Sequence, residues 1–393
     1  MRKMAFFALI LVLLTAQTAL AREELSMVEN MEKVAPYLYE AWFNDYWYDG
    51  DLTVFPEGAS FACSAVRNGN LVGRNFDFYF NDIPEFVVHV AGDVEMGRLA
   101  SIGVAMHNGI TEEGMEKGEY GDEILNVLPN LTLDGINEAG VSVLVNVVPR
   151  GDCGELTGTN PGAETLHAAY VPRYVLDHAT SADHAVELLK ECNICGRYSP
   201  DFDLHFMISD AEKSLVVEFI DNRLVASEKN IMTNFHLNWN ARDVSEYGFC
   251  ETGEEWDKAY TPHAMGVERF IYLRDHYAES ETPEGMQALL KSVCFSGMFH
   301  LNAEPFRYSE WLQSEGYTLR QAYENPEELK AKIADFCGFV EKELDKPLSE
   351  RVRTPAPGYC VTVHNSTYDL ENGTLTLFIQ EDYERSCVFS IDD

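Results

Sequence analysis

An Asn-Gly pair at positions 68–69 constrains this chain more than any other local feature. It separates two β-prone runs, Cys63-Ser64-Ala65-Val66 and Leu71 to Phe76. Asn-Gly accepts the positive φ that tight two-residue turns require, so the pattern predicts a β-hairpin. That hairpin carries chemistry. Cys63 opens its first strand, and Arg74 and Asp77 follow on the second, in Gly73-Arg74-Asn75-Phe76-Asp77. A thiol, a cation and a carboxylate at this spacing suggest a self-processed nucleophile, cut free between Ala62 and Cys63. The new α-amine would titrate near about 7.7–8.0, close enough to neutrality to exchange a proton with the thiol. Asp77 would orient the amine, and Arg74 would favour the thiolate. Alternation limits this picture. Arg74 and Asp77 are three residues apart and face opposite sides of a straight strand. The strand is therefore expected to twist or to end near Asn75. The same residues also fit a buried or disulfide-bonded cysteine beside a local Arg74–Asp77 ion pair.

The rest of the chain reads as strands interleaved with helices. Apolar, β-branched stretches recur at 85–90, 99–106 and 141–148. Helical periodicity marks 163–178 and 182–192, followed by a meander over 204–209, 215–220, 223–226 and 231–234. Helices are expected at 264–278, 284–294 and 327–344, and closing strands at 359–364, 374–380 and 386–391. This order indicates an α+β layered domain. Thr111 to Glu123 reads as a solvated acidic loop. Upstream, Met27 to Phe43 has the spacing of an amphipathic helix, with Val28, Met31, Ala35 and Leu38 on one face and Pro36 as a kink. Residues 22–62 hold nine acids, two bases and many aromatics. They fit a helix packed on the core, or a pro-segment that covers a site until it is removed.

Acidic residues outnumber basic ones 65 to 29, a formal charge of −36 in 393 residues. Nucleic acid and anionic membranes both require basic clusters, so the charge argues against both as partners. Arg2 and Lys3, an apolar run from Met4 to Leu14, and Ala19-Leu20-Ala21 form a signal peptide over residues 1–21. The run is too short to span a bilayer, and no later segment approaches about 18 apolar residues. The chain is thus expected in a secreted or periplasmic location. It divides into leader (1–21), pro-segment (22–62) and one catalytic domain (63–393). Export permits disulfides, but nine cysteines cannot all pair within one chain, and Cys63 is the expected free thiol. Cys192-Asn193-Ile194-Cys195 alone fits a disulfide, plain thiols, a redox pair or half a zinc site. It follows a helix instead of opening one, and no second such motif supports zinc. Asn130, Asn365 and Asn372 each begin a glycosylation acceptor pattern.

Cys63 through Asp77 resembles the mature N-terminus of the choloylglycine hydrolase group of N-terminal-nucleophile hydrolases. This group holds bile salt hydrolases and penicillin V acylases. Acid ceramidase and N-acylethanolamine acid amidase have a similar start. Further stretches match in the same order. Asp134-Gly135-Ile136-Asn137-Glu138-Ala139-Gly140 resembles the family's Asp-Gly-x-Asn-Glu-x-Gly turn. Met207 to Asp210 with Val216-Val217-Glu218 resembles its central hairpin, and Glu268-Arg269-Phe270 its Arg-bearing helix. Asn146 and Asn234 fall where the family has two active-site asparagines. Ser64 stands where many members have Thr, and bile salt hydrolases that lose only an initiator Met lack a segment like 22–62.

The resemblance implies a four-layer αββα sandwich and hydrolysis of a non-peptide linear carbon–nitrogen amide. It implies that Cys63 is the nucleophile and its α-amine the base, with Asp77 orienting that amine. Arg74 and Arg269 would tune charge near the thiol, and Asn146 and Asn234 would donate to the tetrahedral intermediate. No metal or organic cofactor is implied. The expected partner is a small-molecule N-acyl amine or N-acyl amino acid, with room for a homo-oligomer. Acyl transfer from the thioester to an amine, or a binding protein that kept the fold without catalysis, are the rival readings.

Overall fold

A computed structural model describes residues 28–46, 62–79, 82–149, 163, 165–195, 202–220, 223–238, 266–294 and 360–392. The expected signal peptide (1–21), residues 47–61 before the expected cut and the helix expected at 327–344 lie outside the described residues. The first strands are β1 (Val28–Ala35), β2 (Leu38–Phe43), β3 (Ala62–Asn68), β4 (Leu71–Tyr79), β5 (Glu85–Val90) and β6 (Ser101–Met106). Helices α1 (Glu112–Lys117) and α2 (Asp122–Leu125) precede β7 (Thr132–Asn137) and β8 (Ser142–Pro149). Next come β9 (Thr165–His167), α3 (Val171–His178), α4 (Ala182–Glu191) and β10 (Asn193–Cys195). The meander is β11 (Phe202–Ser209), β12 (Ser214–Ile220), β13 (Arg223–Glu228) and β14 (Ile231–Met232). Helices α5 (Val267–Asp275) and α6 (Pro283–Ser292) precede β15 (Cys360–Asp369), β16 (Thr374–Ile379) and β17 (Cys387–Ser390).

These strands form two large sheets. One has nine strands in the order β1-β2-β5-β6-β7-β8-β11-β12-β13, and the other six in the order β14-β3-β4-β15-β16-β17. Val72, Leu375 and Leu377 of the smaller sheet meet Val87, Val104, Leu144 and Met207 of the larger in one apolar layer. Helices α3 and α4 cover the outer face of the nine-stranded sheet through Leu176, Ala185 and Leu189. Helices α5 and α6 cover the smaller sheet through Leu273, Met286 and Leu290. The result is the α+β layered domain that the element order indicated, arranged helix–sheet–sheet–helix as the resemblance implied. No described helix is long and apolar enough to cross a membrane.

Two expectations are corrected. Residues 28–43 are not a helix but an antiparallel strand pair, and β2 joins β5 in parallel. Leu38, Tyr39, Ala41 and Phe43 are all buried, so β2 is apolar on both faces and lacks the alternation that marks a half-exposed strand. Pro36 does not kink a helix; it and Tyr37, at φ 62°, form the turn between the strands. Each fully buried apolar side chain contributes about 1.5–3 kcal/mol. Strand β2 is therefore part of the core, not a flap laid over it. The acidic stretch 111–123 is not a plain loop either. Thr111 caps α1 through Gly114 N, and Glu112 is buried and accepts from Tyr37 N at 3.1 Å. Of the glycosylation patterns, Asn130 and Asn365 are buried and Asn372 is exposed.

Candidate active site

The β3–β4 hairpin sets the site. Its turn is Gly69-Asn70, one residue beyond the Asn-Gly pair, because Asn68 stays in the ladder opposite Leu71. Gly69 supplies the positive φ of 59°. This register pairs Ala65 with Arg74, Cys63 with Phe76 and Ala62 with Asp77. Directly opposed residues share a face. Cys63, Arg74 and Phe76 therefore point at the nine-stranded sheet, while Asn75 and Asp77 point at the outer helices. Gly73 shares that outer face, and a Cβ there would come within 2.5 Å of Leu290 Cδ1 of α6. The glycine of Gly-Arg-Asn thus lets α6 lie against β4.

Strand β4 neither ends near Asn75 nor brings Arg74 and Asp77 to one side; it runs on to Tyr79. The two residues serve different atoms of Cys63. Arg74 Nη2 lies 4.0 Å from the Sγ, on the inner face. Asp77 sits across the ladder from Ala62, beside the Ala62–Cys63 peptide.

The backbone of Cys63 is held at both ends. Its N–H donates to Asn234 Oδ1 at 2.7 Å, and its carbonyl accepts from Arg269 Nη1. Arg269 also donates through Nη2 to Asn234 Oδ1 (2.7 Å) and through Nη1 to Ser64 Oγ (3.0 Å). Asn234 Nδ2 donates to the Val147 carbonyl at 2.7 Å. Asn146 lies on β8 opposite His205 and its Nδ2 shares longer bonds of 3.4 and 3.3 Å with the carbonyls of Met232 and Thr233. All six residues named from the sequence therefore converge on Cys63 or on the hollow beside it. The segment bearing Asn234 has its own anchor. His205 Nε2 donates to the Thr233 carbonyl (2.7 Å), and His205 Nδ1 lies 3.1 Å from Glu218 Oε1. Glu218 in turn accepts from Leu237 N and Asn238 N, each at 2.8 Å.

Behind Arg74 is a buried ionic cluster that sequence reasoning missed. Arg74 Nη1 donates to Asp134 Oδ2 (2.7 Å), and Arg74 Nη2 to the Val145 carbonyl (2.5 Å). His364 lies between two carboxylates, its Nε2 2.8 Å from Asp134 Oδ2 and its Nδ1 2.5 Å from Glu85 Oε2. Tyr368 donates its hydroxyl to Asp134 Oδ1. All five side chains are at most 1% exposed. Burial opposes charge on Asp134, but His364 and Arg74 outweigh it and hold the carboxyl at about 2. Burial likewise pushes His364 down, yet Glu85 and Asp134 raise it to about 9. The signal for Asp134 was present, as the first residue of the Asp-Gly-x-Asn-Glu-x-Gly stretch. That stretch is a strand end followed by a turn, in which Asn137 ties Leu176 O of α3 and Ala179 O just past its end to the turn amides of Ala139 and Val141. Nothing in sequence marked Glu85 or His364.

Cys63 carries a free thiol. Burial pushes that thiol up, and the Arg74 guanidinium pulls it back part of the way. The thiol opens on a hollow lined by Phe76, Leu131, Leu133, Val145, Val147 and Leu204, and also by Cys63, Arg74, Thr132 and Asn146. It encloses about 500 Å³, including the part open to solvent. Among the described residues, no cluster of three or more His, Cys, Asp or Glu is arranged to hold a metal.

Residues 60–248 match the family described as linear amide C–N hydrolases, choloylglycine hydrolase family. Over this part the chain is similar to that family. The conjugated bile acid hydrolase from Clostridium perfringens, in a mutant form, is similar in structure at 16% identity and a TM-score of 0.51. The likeness covers 84% of this chain and 92% of that one, and it shows that the two share a fold. Penicillin V acylase from Agrobacterium tumefaciens aligns at 16% identity over 81% of this chain and 82% of its own, with a TM-score of 0.41. A search of curated proteins gave no match. The family match supports amide hydrolysis as the activity class.

Proposed function

We propose that the chain is an exported amidase that cuts itself before Cys63 and then uses that cysteine to hydrolyse the amide of an N-acyl amine or N-acyl amino acid. The observation that carries this reading is the free thiol facing Arg74 in the lining of an apolar hollow, inside the segment that matches an amide hydrolase family. In the first step the Cys63 sulfur attacks the Ala62 carbonyl carbon, the carbon–nitrogen bond breaks, and the α-amine of Cys63 takes up a proton. Water then clears the resulting thioester. In turnover the α-amine removes the thiol proton, and the thiolate attacks the substrate carbonyl. The same proton passes to the departing amine, and a water molecule, deprotonated by the α-amine, releases the acid.

The geometry supports a division of roles. Asn234 and Arg269 hold the Cys63 backbone, so they favour the pose in which the preceding peptide is cut. Asn146 lines the hollow with long, shared hydrogen bonds, so its amide is the donor readiest to turn to a developing oxyanion. A preorganised donor of this kind contributes about 2.7–4 kcal/mol. The apolar lining suits the acyl portion of the substrate. Mass analysis of an active preparation tests self-processing: the chain is expected to begin at Cys63, and activity in a chain still beginning at Arg22 would sink the claim. Assay against conjugated bile acids, penicillin V, N-acyl amino acids and N-acylethanolamines identifies the substrate.

A further inference from the structure

Arg74 and Asp77 leave β4 on opposite faces, yet a single neighbouring strand serves both. Thr362 Oγ1 donates to Asp77 Oδ1 at 2.5 Å. His364, two residues on, holds Asp134 Oδ2 at 2.8 Å and lies 3.3 Å from Arg74 Nη1. Residues two apart on a regular strand point the same way. Here Val363 is an extra residue in β15: Thr362 opposes Asp77 and His364 opposes Phe76, with a register shift between them. Such a bulge re-aims side chains without ending the strand. The bulge turns Thr362 to the outer face with Asp77 and His364 to the inner face with Arg74.

The bulge is itself braced by strained backbone. Gln380 and Glu381 are consecutive non-glycine residues in the left-handed region, at φ 50° and 58°. L-residues avoid that region, and strain of this kind persists where the surroundings enforce it. Gln380 N donates to the carbonyl of the bulged Val363 at 2.7 Å. Glu381 Oε1 accepts from Thr362 N at 2.9 Å. On the inner side, Glu85 holds the far nitrogen of His364. The strained turn thus grips the bulged residue and the one before it, and the ionic cluster grips the one after it.

We propose that the bulge at Val363 is a positioning device for the reaction. Thr362 aims Asp77 at the bond before Cys63, and His364, acting through Asp134, aims Arg74 at the thiol. Both are positioning residues, and their assignment rests on Cys63 being the nucleophile.

The test uses the full chain and three variants, Thr362→Val, Thr362→Ser and His364→Gln. Two rates are followed: appearance of the chain that begins at Cys63, and alkylation of Cys63 by iodoacetamide across pH. Thr362→Val is expected to slow self-cleavage about tenfold, the scale of one hydrogen bond to a charged group, and to leave the alkylation profile unmoved. Thr362→Ser restores the cleavage rate, which a merely structural loss of packing would not do. His364→Gln is expected to move the alkylation inflection to higher pH, because Arg74 no longer favours the thiolate. Thermal melting separates misfolding from mispositioning. Folded Thr362→Val and His364→Gln proteins that cleave and alkylate as wild type would overturn the inference, as would Thr362→Ser behaving like Thr362→Val. Cys63→Ala, which has no nucleophilic side chain, keeps this apart from the reading beneath it. A Cys63→Ala chain still cut before position 63 refutes the nucleophile. An uncut Cys63→Ala chain alongside unaffected Thr362→Val and His364→Gln chains refutes only the bulge.

Discussion

Asp134→Asn isolates the charge that joins the two sheets. The side chain keeps its volume, so no cavity opens, and Oδ1 can still accept from Tyr368. What disappears is the negative charge facing Arg74 Nη1 at 2.7 Å and His364 Nε2 at 2.8 Å. Glu85 alone then faces two buried cations. Removing one partner of a buried pair typically costs about 3–5 kcal/mol, because the other charge stays buried. The loss should depend on pH with a defined sign. In the wild type, Glu85 and Asp134 raise His364 to about 9 against the opposing effect of burial. Its contribution to stability is therefore complete below about pH 6.5 and is lost as pH rises through about 9. Asp134 works in the other direction. With its carboxyl held at about 2, its contribution is present above about pH 4 and is lost as pH falls towards 2. Without Asp134, His364 keeps one carboxylate and releases its proton at lower pH. The difference between wild type and variant should be greatest near about pH 6 and shrink towards about pH 9. Urea unfolding followed by tryptophan fluorescence measures it as a midpoint shift of at least about 1 M. A difference below about 1 kcal/mol near pH 6, or one that stays constant to pH 9, would refute the charge assignment.

Other outcomes follow from the same contacts. Asn234→Ala removes the acceptor shared by Cys63 N and Arg269 Nη2, so self-cleavage should slow by at least about tenfold, read by mass spectrometry over time. Arg74→Gln removes the cation nearest the thiol after burial has raised it, so the alkylation inflection of Cys63 should move to higher pH. Residues 28–46 supply two strands of the larger sheet, with Leu38, Ala41 and Phe43 buried. A cut before Cys63 should therefore leave two chains that stay together in native mass spectrometry and separate only in denaturant.

The site was legible in sequence where chemistry is concentrated in one hairpin, and illegible where it depends on which strands pair. Cys63, Arg74 and Asp77 could be picked out because a turn signal fixed their distances along the chain. Their conflict over faces could not be resolved from that hairpin alone. The answer lies in β15, nearly three hundred residues away, where one extra residue lets Thr362 and His364 serve opposite sides. Asp134 was visible only as the start of a turn, since nothing local reveals that its partner is an arginine sixty residues earlier. The N-terminal strands were misread for a different reason. Val28, Met31, Ala35 and Leu38 satisfy helical spacing, and burial of β2 on both faces removes the period of two that would contradict it. The outer helices were readable because each buries one face only, and the meander because its β-prone runs are short and separated by turn residues such as Asp210 to Lys213.

The central claim is that Cys63, once it is the first residue of its chain, forms a thioester with the acyl group. Intact-mass analysis of enzyme quenched early in turnover with acid tests it directly. The account predicts a chain beginning at Cys63 that gains the mass of the acyl group, with the adduct on the Cys63 sulfur and absent from Cys63→Ser. Wild-type turnover by Cys63→Ser, or by a chain with residue 62 still attached, would contradict it.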